Sequence, residues 1–420
     1  MRRLFPLLPL VIAVAPVFAE DGKSSVPVAD SEFQKTQLSN EFWAEGATYG
    51  DFNHDGKVDI AYGPYWWEGP DFKVRHTFYS DAKKSKIKKA DGTEAEICGF
   101  KGGLGHENDY SDNFFMFSHD FNGDGWDDIL VIGFPGKEAF WFENPKGGNG
   151  PWTKHLAWDN VDNESPTYTD LKGNGNPVII CSSHGCLGYA EPDPKNPNAT
   201  WTWHNISPKG NYQRFTHGIG VGDVNGDGKQ DILEATGWWE QPASLEGDPV
   251  WKKHDAMFGK GGSQMFAYDV NGDGKPDVVT SLEAHGYGIA WFEQTNEGGA
   301  EGWIKHVIVG NKPEDNPQGV KFSQPHALAL VDMNGDGLKD IVTGKRFWAH
   351  GPEGDQEPNA PAVLYWFELK RNGHDVQWLA HQIDNDSGVG TQVTVTDING
   401  DGKPDVVVGN KKGAFVFLRK

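Results

Sequence analysis

His217, His285 and His326, with Lys345, Arg346 and Tyr110, are the residues of this chain best suited to reactive chemistry. Imidazole binds a transition ion such as Zn2+ or Mn2+, or takes up a proton near neutral pH, and a Lys or Arg cation stabilises charge developing on an oxygen. Together they suit proton abstraction beside a sugar carbonyl or a uronate carboxylate, the opening step of a lyase or dehydratase. Trp238, Glu283, Trp348, Gln264, Gln392 and His184 could hold the sugar itself. The competing expectation is that all these groups line a wet channel and hydrogen-bond one another.

A second metal chemistry is written six times, as Asp-x-Asn-x-Asp-Gly-x-x-Asp. Its oxygen-bearing positions are Asp51, Asn53, Asp55 and Asp59; Asp120, Asn122, Asp124 and Asp128; Asp223, Asn225, Asp227 and Asp231; Asp269, Asn271, Asp273 and Asp277; Asp332, Asn334, Asp336 and Asp340; and Asp397, Asn399, Asp401 and Asp405. Such oxygens converge on one hard cation when the chain turns sharply, which the Gly at position 6 permits, so six structural Ca2+ sites are expected. A helix-flanked loop would close with Glu at position 12, which only Glu234 provides; Tyr62, Val131, Thr280, Thr343 and Val408 stand there otherwise. The short β-branched flanks, such as Val393 to Thr396 and Asp405 to Val408, predict strands. A worn seventh copy at Asp170 has Lys172 and Val178 in ligand places and is expected to bind no calcium. A disulfide between Cys181 and Cys186 could staple that unit instead, with pairings that involve Cys98 left open.

The elements that must position these residues recur with the loops. Each unit reads as a short strand, the loop, a second strand, a third carrying aromatic-aromatic-Glu (Trp141-Phe142-Glu143, Trp291-Phe292-Glu293) and a fourth carrying Trp-x-x-His (Trp152 with His155, Trp303 with His306). Seven such units, 46 to 69 residues apart, predict an all-β fold, a seven-bladed β-propeller of four-stranded blades over residues 32–420. The last unit lacks a fourth strand and Phe33 to Leu38 resembles one, so the two should pair and close the ring. The repeated histidines of Trp-x-x-His are expected to share a packing and hydrogen-bonding role. Approaches to first strands (His217, Gln264, His326, Gln392) and turns after second strands should share the face opposite the calcium loops. The insertions carrying His106 to Tyr110 and Ala349 to Ala362 should overhang that mouth.

Residues 1–19 read as a secretory signal and 20–31 as a flexible tether, which places the mature chain outside the cytoplasm, secreted, periplasmic or at the cell surface. No later stretch predicts a membrane span. Net charge is −22, and six Ca2+ would bring it to about −10, so much of the acidity is ligand charge. With no basic stripe, nucleic acid is not an expected partner. No phosphate-binding loop, dinucleotide fingerprint or Gly-x-Ser-x-Gly elbow is present.

The loop phrases, in phase with strands across nearly the whole mature chain, resemble the FG-GAP/VCBS repeat family of secreted calcium-binding propellers, which includes the integrin α head. His54 departs from the usual Gly at position 4. A narrower similarity, carried by His217-Gly218-Ile219-Gly220, Gly237-Trp238-Trp239-Glu240-Gln241-Pro242, Ala284-His285-Gly286-Tyr287-Gly288 and Lys345-Arg346-Phe347-Trp348, is to the propeller of aldos-2-ulose dehydratases. That resemblance implies metal-assisted elimination of water from an oxidised sugar, although the cupin modules that accompany it are absent. The reading that follows is a carbohydrate bound at the face opposite the calcium loops; the rival class, as in adhesion propellers, is a non-catalytic scaffold that uses the same face for a protein or glycan.

Overall fold

Each repeat folds as an antiparallel meander because its turns are dictated locally. In the six intact loops position 6 is a Gly at positive φ, and position 4 is Gly at φ 72–78° except in the first, where His54 takes φ 60°. A side chain in that region is strained, and the His54 ring is offset by packing on Trp126 at 4.7 Å. The computed structural model describes residues 32–79, 83–89, 91–102, 107–148, 150–295 and 302–420. The expected signal, the tether and His106 lie outside them. Glu32–Lys420 is one compact unit whose regular elements, among the described residues, are strands apart from a short 3-10 turn at Pro313–Asp315, and no helix of the described residues is long and apolar enough to cross a membrane.

The strands form a propeller arrangement of five free-standing four-stranded sheets and one eight-stranded sheet, with a separate two-stranded ribbon, Lys84–Lys88 with Glu94–Cys98. Seven separate sheets were the expectation from seven repeats; instead the fourth and fifth repeats share a sheet. Their inner strands, Ile219–Gly222 and Met265–Tyr268, pair in parallel at Gly220 with Met265 and Val221 with Phe266. The cause is local, since a Cβ on Gly220 would stand 1.9 Å from the Met265 carbonyl oxygen. Strand Phe33–Ser39 pairs antiparallel with Gly413–Arg419, so the first described strand completes the last sheet.

The core lies between sheets, in clusters that join neighbouring repeats, such as Phe52, Trp66, Phe142 and Trp152. Within a sheet the aromatic-aromatic-Glu and Trp-x-x-His motifs meet across one strand pair. Trp141, Trp238, Trp291 and Trp366 stack on His155, His254, His306 and His381 with centroids 4.0–4.2 Å apart. The same imidazoles reach Glu143, Glu240, Glu293 and Glu368 at 2.7–3.1 Å. These histidines therefore pack and hydrogen-bond as a shared structural device. In the last sheet, which has no such His, the Lys35 ammonium lies 4.7 Å over the Phe415 ring.

The ninth-position carboxylates are a second device. Asp59, Asp128, Asp231, Asp277, Asp340 and Asp405 are fully buried, and each accepts two backbone N–H groups. For Asp128 these come from Phe121 at 3.1 Å and Asn144 at 2.7 Å, which ties the loop entrance to the end of the third strand. In the worn third loop the Lys172 ammonium pairs with Glu191 at 2.6 Å. The disulfide considered there is not formed: all three cysteines are free. Strand register is the reason, since it sets Gly188 opposite Cys181 and Ser183 opposite Cys186.

Candidate functional site

Residues that immediately precede inner strands converge because those strands surround one channel. The channel, about 500 Å³, is lined by Thr48, Phe115, Phe117, Thr167, Phe266, Leu330 and Val395 among others. Gln264 and Gln392 stand at its polar end. Gln264 accepts the Leu328 N–H at 2.9 Å and donates to the Thr391 carbonyl at 3.1 Å; Gln392 accepts from and donates to the Met116 backbone at 3.0 and 2.8 Å. Both amides are spent as struts between inner strands, which removes them from the sugar-contacting set expected of them.

Just before the strand starts at Thr167, Ile219 and Leu328 stand Glu164, His217 and His326, and His285 joins them from a turn after a second strand. One ligand atom from each of the four lies within 4.8 Å of the others. His217 Nε2 and His326 Nε2 are 3.3 Å apart, and Glu164 Oε2 is 3.3 Å from His326 Nε2 and 3.6 Å from His217 Nε2. The two 3.3 Å separations match the ~3.3–3.4 Å edges of a tetrahedron whose centre makes bonds of about 2.0–2.1 Å, the full set of four spans up to 4.8 Å, and imidazoles with a carboxylate are a donor set that suits Zn2+. His285 Nδ1 meets Gln324 Oε1 at 3.2 Å, which leaves its Nε2 for an ion, the usual outer-shell arrangement.

Gln324 organises this corner. It is fully buried with φ 62°, and its carbonyl accepts the backbone N–H groups of both His326 (2.8 Å) and Arg346 (2.9 Å). The Arg346 guanidinium is 1 % exposed; its Nη2 lies 3.0 Å from Glu45 Oε1, and its Nη1 is 3.5 Å from Glu164 and donates to His326 Nε2 at 3.0 Å.

Burial pushes the Glu164 carboxyl upward, but its close contacts with the imidazoles of His217 and His326 outweigh it and hold the group well below the usual carboxylate range. Burial and the Arg346 charge push His326 down to about 4. His285 is also pushed far down, by burial first and then by His326, His217 and Arg346. Near neutral pH the site therefore offers an anionic carboxylate and His285 and His326 as neutral imidazoles with lone pairs, the protonation state that metal binding needs.

The remaining expected site residues lie elsewhere or are otherwise engaged. The Lys345 ammonium is buried and donates to Ser323 Oγ at 2.6 Å and the Gln356 carbonyl at 3.2 Å, so it pins the 349–362 insertion and is not positioned as an oxyanion partner of the histidines. Trp238 is the second residue of a third strand, 1 % exposed and stacked on His254, so no sugar can lie on it. Trp348 stacks on Phe347 and donates from Nε1 to the Pro358 carbonyl at 3.2 Å. Glu283 pairs with Lys260 at 3.2 Å, and exposed His184 pairs with Asp159 at 3.1 Å. Tyr110 is half-buried against Phe134, and burial raises its hydroxyl pKa while the Arg346 charge opposes that rise. Above the channel mouth the buried Lys411 ammonium reaches Asn108 Oδ1 and the Trp348 carbonyl, joining the two insertions.

Four participants escaped the sequence reading: Glu164, Glu45, Gln324 and His350. Glu164 and Glu45 each stand three residues before an inner strand, close to the register of His217 and His326, so the same offset applied to every unit would have found them.

An FG-GAP-like repeat model matches residues 120–181, 269–343 and 332–408. Among solved structures, the chain is similar to an Agrocybe aegerita lectin described as recognising non-reducing terminal N-acetylglucosamine (TM-score 0.43, 18% identity, 85% of this chain and 82% of the lectin). It is also similar to the exotype rhamnogalacturonan lyase YesX (TM-score 0.42, 14% identity, 92% of this chain and 72% of the lyase). A third is the V. cholerae biofilm matrix protein Bap1 (TM-score 0.32, 11% identity, 72% of this chain and 87% of Bap1). No curated protein sequence matches the chain significantly.

Proposed function

We propose, from the FG-GAP-like repeats matched at residues 120–181, 269–343 and 332–408, an exported, calcium-stabilised propeller whose mouth opposite the loops binds a carbohydrate and eliminates water from it with the help of one divalent transition ion. The observation that carries this reading is the Glu164, His217, His285 and His326 cluster. Counting the two halves of the eight-stranded sheet separately gives seven blades, in keeping with their four strands each and the short parallel contact between them.

The loop chemistry suits calcium. In the first loop the side-chain oxygens of Asp51, Asn53 and Asp55 accept the N–H groups of Asp55, Gly56 and Lys57, so several hard oxygen donors lie within one tight turn. At the mouth, Zn2+ or Mn2+ would be held by Glu164 and the three imidazoles. Such an ion supplies Lewis-acid polarisation of a sugar carbonyl. The chain's own residues do the rest: Gln324 orients His285, and Arg346, anchored by Glu45, supplies fixed positive charge. Because Arg346 Nη1 donates to His326 Nε2, loading requires the guanidinium to release that nitrogen while keeping Glu45. That same contact favours the rival reading, in which the mouth is a hydrogen-bonded plug and the propeller a binding scaffold.

Elemental analysis of the purified protein separates the two. The expected result is about six calcium ions per chain plus one zinc or manganese, with the transition ion alone lost in Glu164→Gln and His326→Asn. Chelation should lower Tm markedly by removing ligands bound only to the folded state. Calcium without any transition ion would leave the scaffold reading, and a melt indifferent to chelation would remove the calcium assignment.

A further inference from the structure

His350 opens the insertion that follows Arg346, and nothing in the metal cluster accounts for its placement. Its ring centroid lies 4.2 Å from that of His285, inclined at 50°, and its side chain is 44% exposed. The side chain of Asp355, five residues on, is fully buried. Its Oδ1 accepts the His350 backbone N–H at 2.8 Å and stands 3.5 Å from His350 Nδ1, while its Oδ2 meets no hydrogen-bond partner among the described residues. An unpartnered buried carboxylate oxygen is costly, and the loop that carries it is fixed from both sides, by Lys345 on the Gln356 carbonyl and by Trp348 on the Pro358 carbonyl. A carboxylate charge held 3.5 Å from Nδ1 favours the tautomer protonated there, which leaves the Nε2 lone pair available.

We propose that His350, oriented by Asp355, is the proton-transfer base for a carbonyl sugar bound at the Glu164, His217, His285 and His326 centre, a role that rests on the elimination reading above. His350 Nε2 takes the proton from the carbon next to the carbonyl. The C–H electron pair becomes the C=C bond of an enolate as the carbonyl pair moves to oxygen. When the enolate collapses, the β-hydroxyl leaves with its bonding pair and takes the proton from the imidazolium, so water departs and no oxidant or reductant is consumed. His350 lies one ring away from a metal-ligand candidate, is open to solvent and has an orienting carboxylate, the arrangement expected of a base beside a reacting centre. Asp355 acts as a positioning residue.

The test uses the full exported chain with the metal it carries as purified. 2-Keto-D-glucose and D-galacturonate are incubated with it in D2O, and exchange of the proton next to the carbonyl or carboxylate is followed by NMR. The native chain is expected to exchange at least one of them. His350→Gln should slow exchange by about 100-fold or more, the range for loss of a general base, with metal content and Tm unchanged. Asp355→Asn should slow it about 10-fold, and the 15N signals assigned by their loss in His350→Gln should move away from the Nδ1–H tautomer. Undiminished exchange in His350→Gln, or a native Nε2–H tautomer, overturns the role of His350 and leaves the metal centre standing. Loss of the ion from His350→Gln makes it a ligand and also overturns the proposal. No exchange by the metal-bearing native chain overturns the elimination reading and this inference with it.

Discussion

Arg346 shows how a single residue can be both expected and misread. A cation at the mouth is legible from sequence, but the guanidinium is enclosed between two carboxylates, Glu45 and Glu164, whose chain positions are far apart. A buried cation in such a place contributes chiefly by preventing uncompensated charge. Arg346→Met should therefore destabilise the protein by about 3–5 kcal/mol, since two buried carboxylates lose their partner. Adding Glu45→Gln to that variant should recover part of the loss. Denaturant midpoints of the single and double variants check this, and equal midpoints would show that Glu45 does not depend on the guanidinium. Lys345 is the contrasting neighbour: adjacent in sequence, it turns to Ser323 and Gln356 and serves the insertion.

Within a sheet, the unit of organisation is the aromatic ring, the Glu two residues after it and the His opposite on the fourth strand. In the fourth repeat the Trp238 and His254 ring planes are nearly parallel, 2° apart and stacked at 4.0 Å, and Glu240 accepts from the imidazole at 2.7 Å. His254→Ala removes one stacked pair and one hydrogen bond, so a loss of roughly 1–2 kcal/mol is expected. The same substitution at His155 or His306 should cost a similar amount, because the register is the same. Urea unfolding of the three variants measures it, and a wide spread would mean that inter-sheet packing, and not this motif, sets the cost. These devices were legible from the repeat period. The fused sheet was not, because it depends on how closely two neighbouring inner strands approach.

For the whole molecule, the decisive contact joins Phe33–Ser39 to Gly413–Arg419. Without it, the last sheet would present the bare edge of a strand containing Phe415, Val416 and Phe417. Deletion of residues 32–39 should therefore shift the protein to larger, self-associating species than the full chain at size-exclusion chromatography, while a folded deletion variant that elutes as the full chain does would show the closure to be dispensable.

What the sequence determined by itself is the local part: loops, strands, aromatic pairs and the completing terminal strand all follow from side chains within one repeat or from a missing repeat element. The histidines of the mouth could also be named, because inner-strand approaches share a register. Their chemistry was decided only by tertiary structure. Glu45, Glu164 and Arg346 lie in different repeats and meet because the sheets surround one channel, while the 349–362 insertion brings His350 alongside His285. Whether a given Gln, Trp or Lys faces a ligand or a neighbour depends on which backbone groups the adjoining sheet leaves unpaired, and no repeat period encodes that.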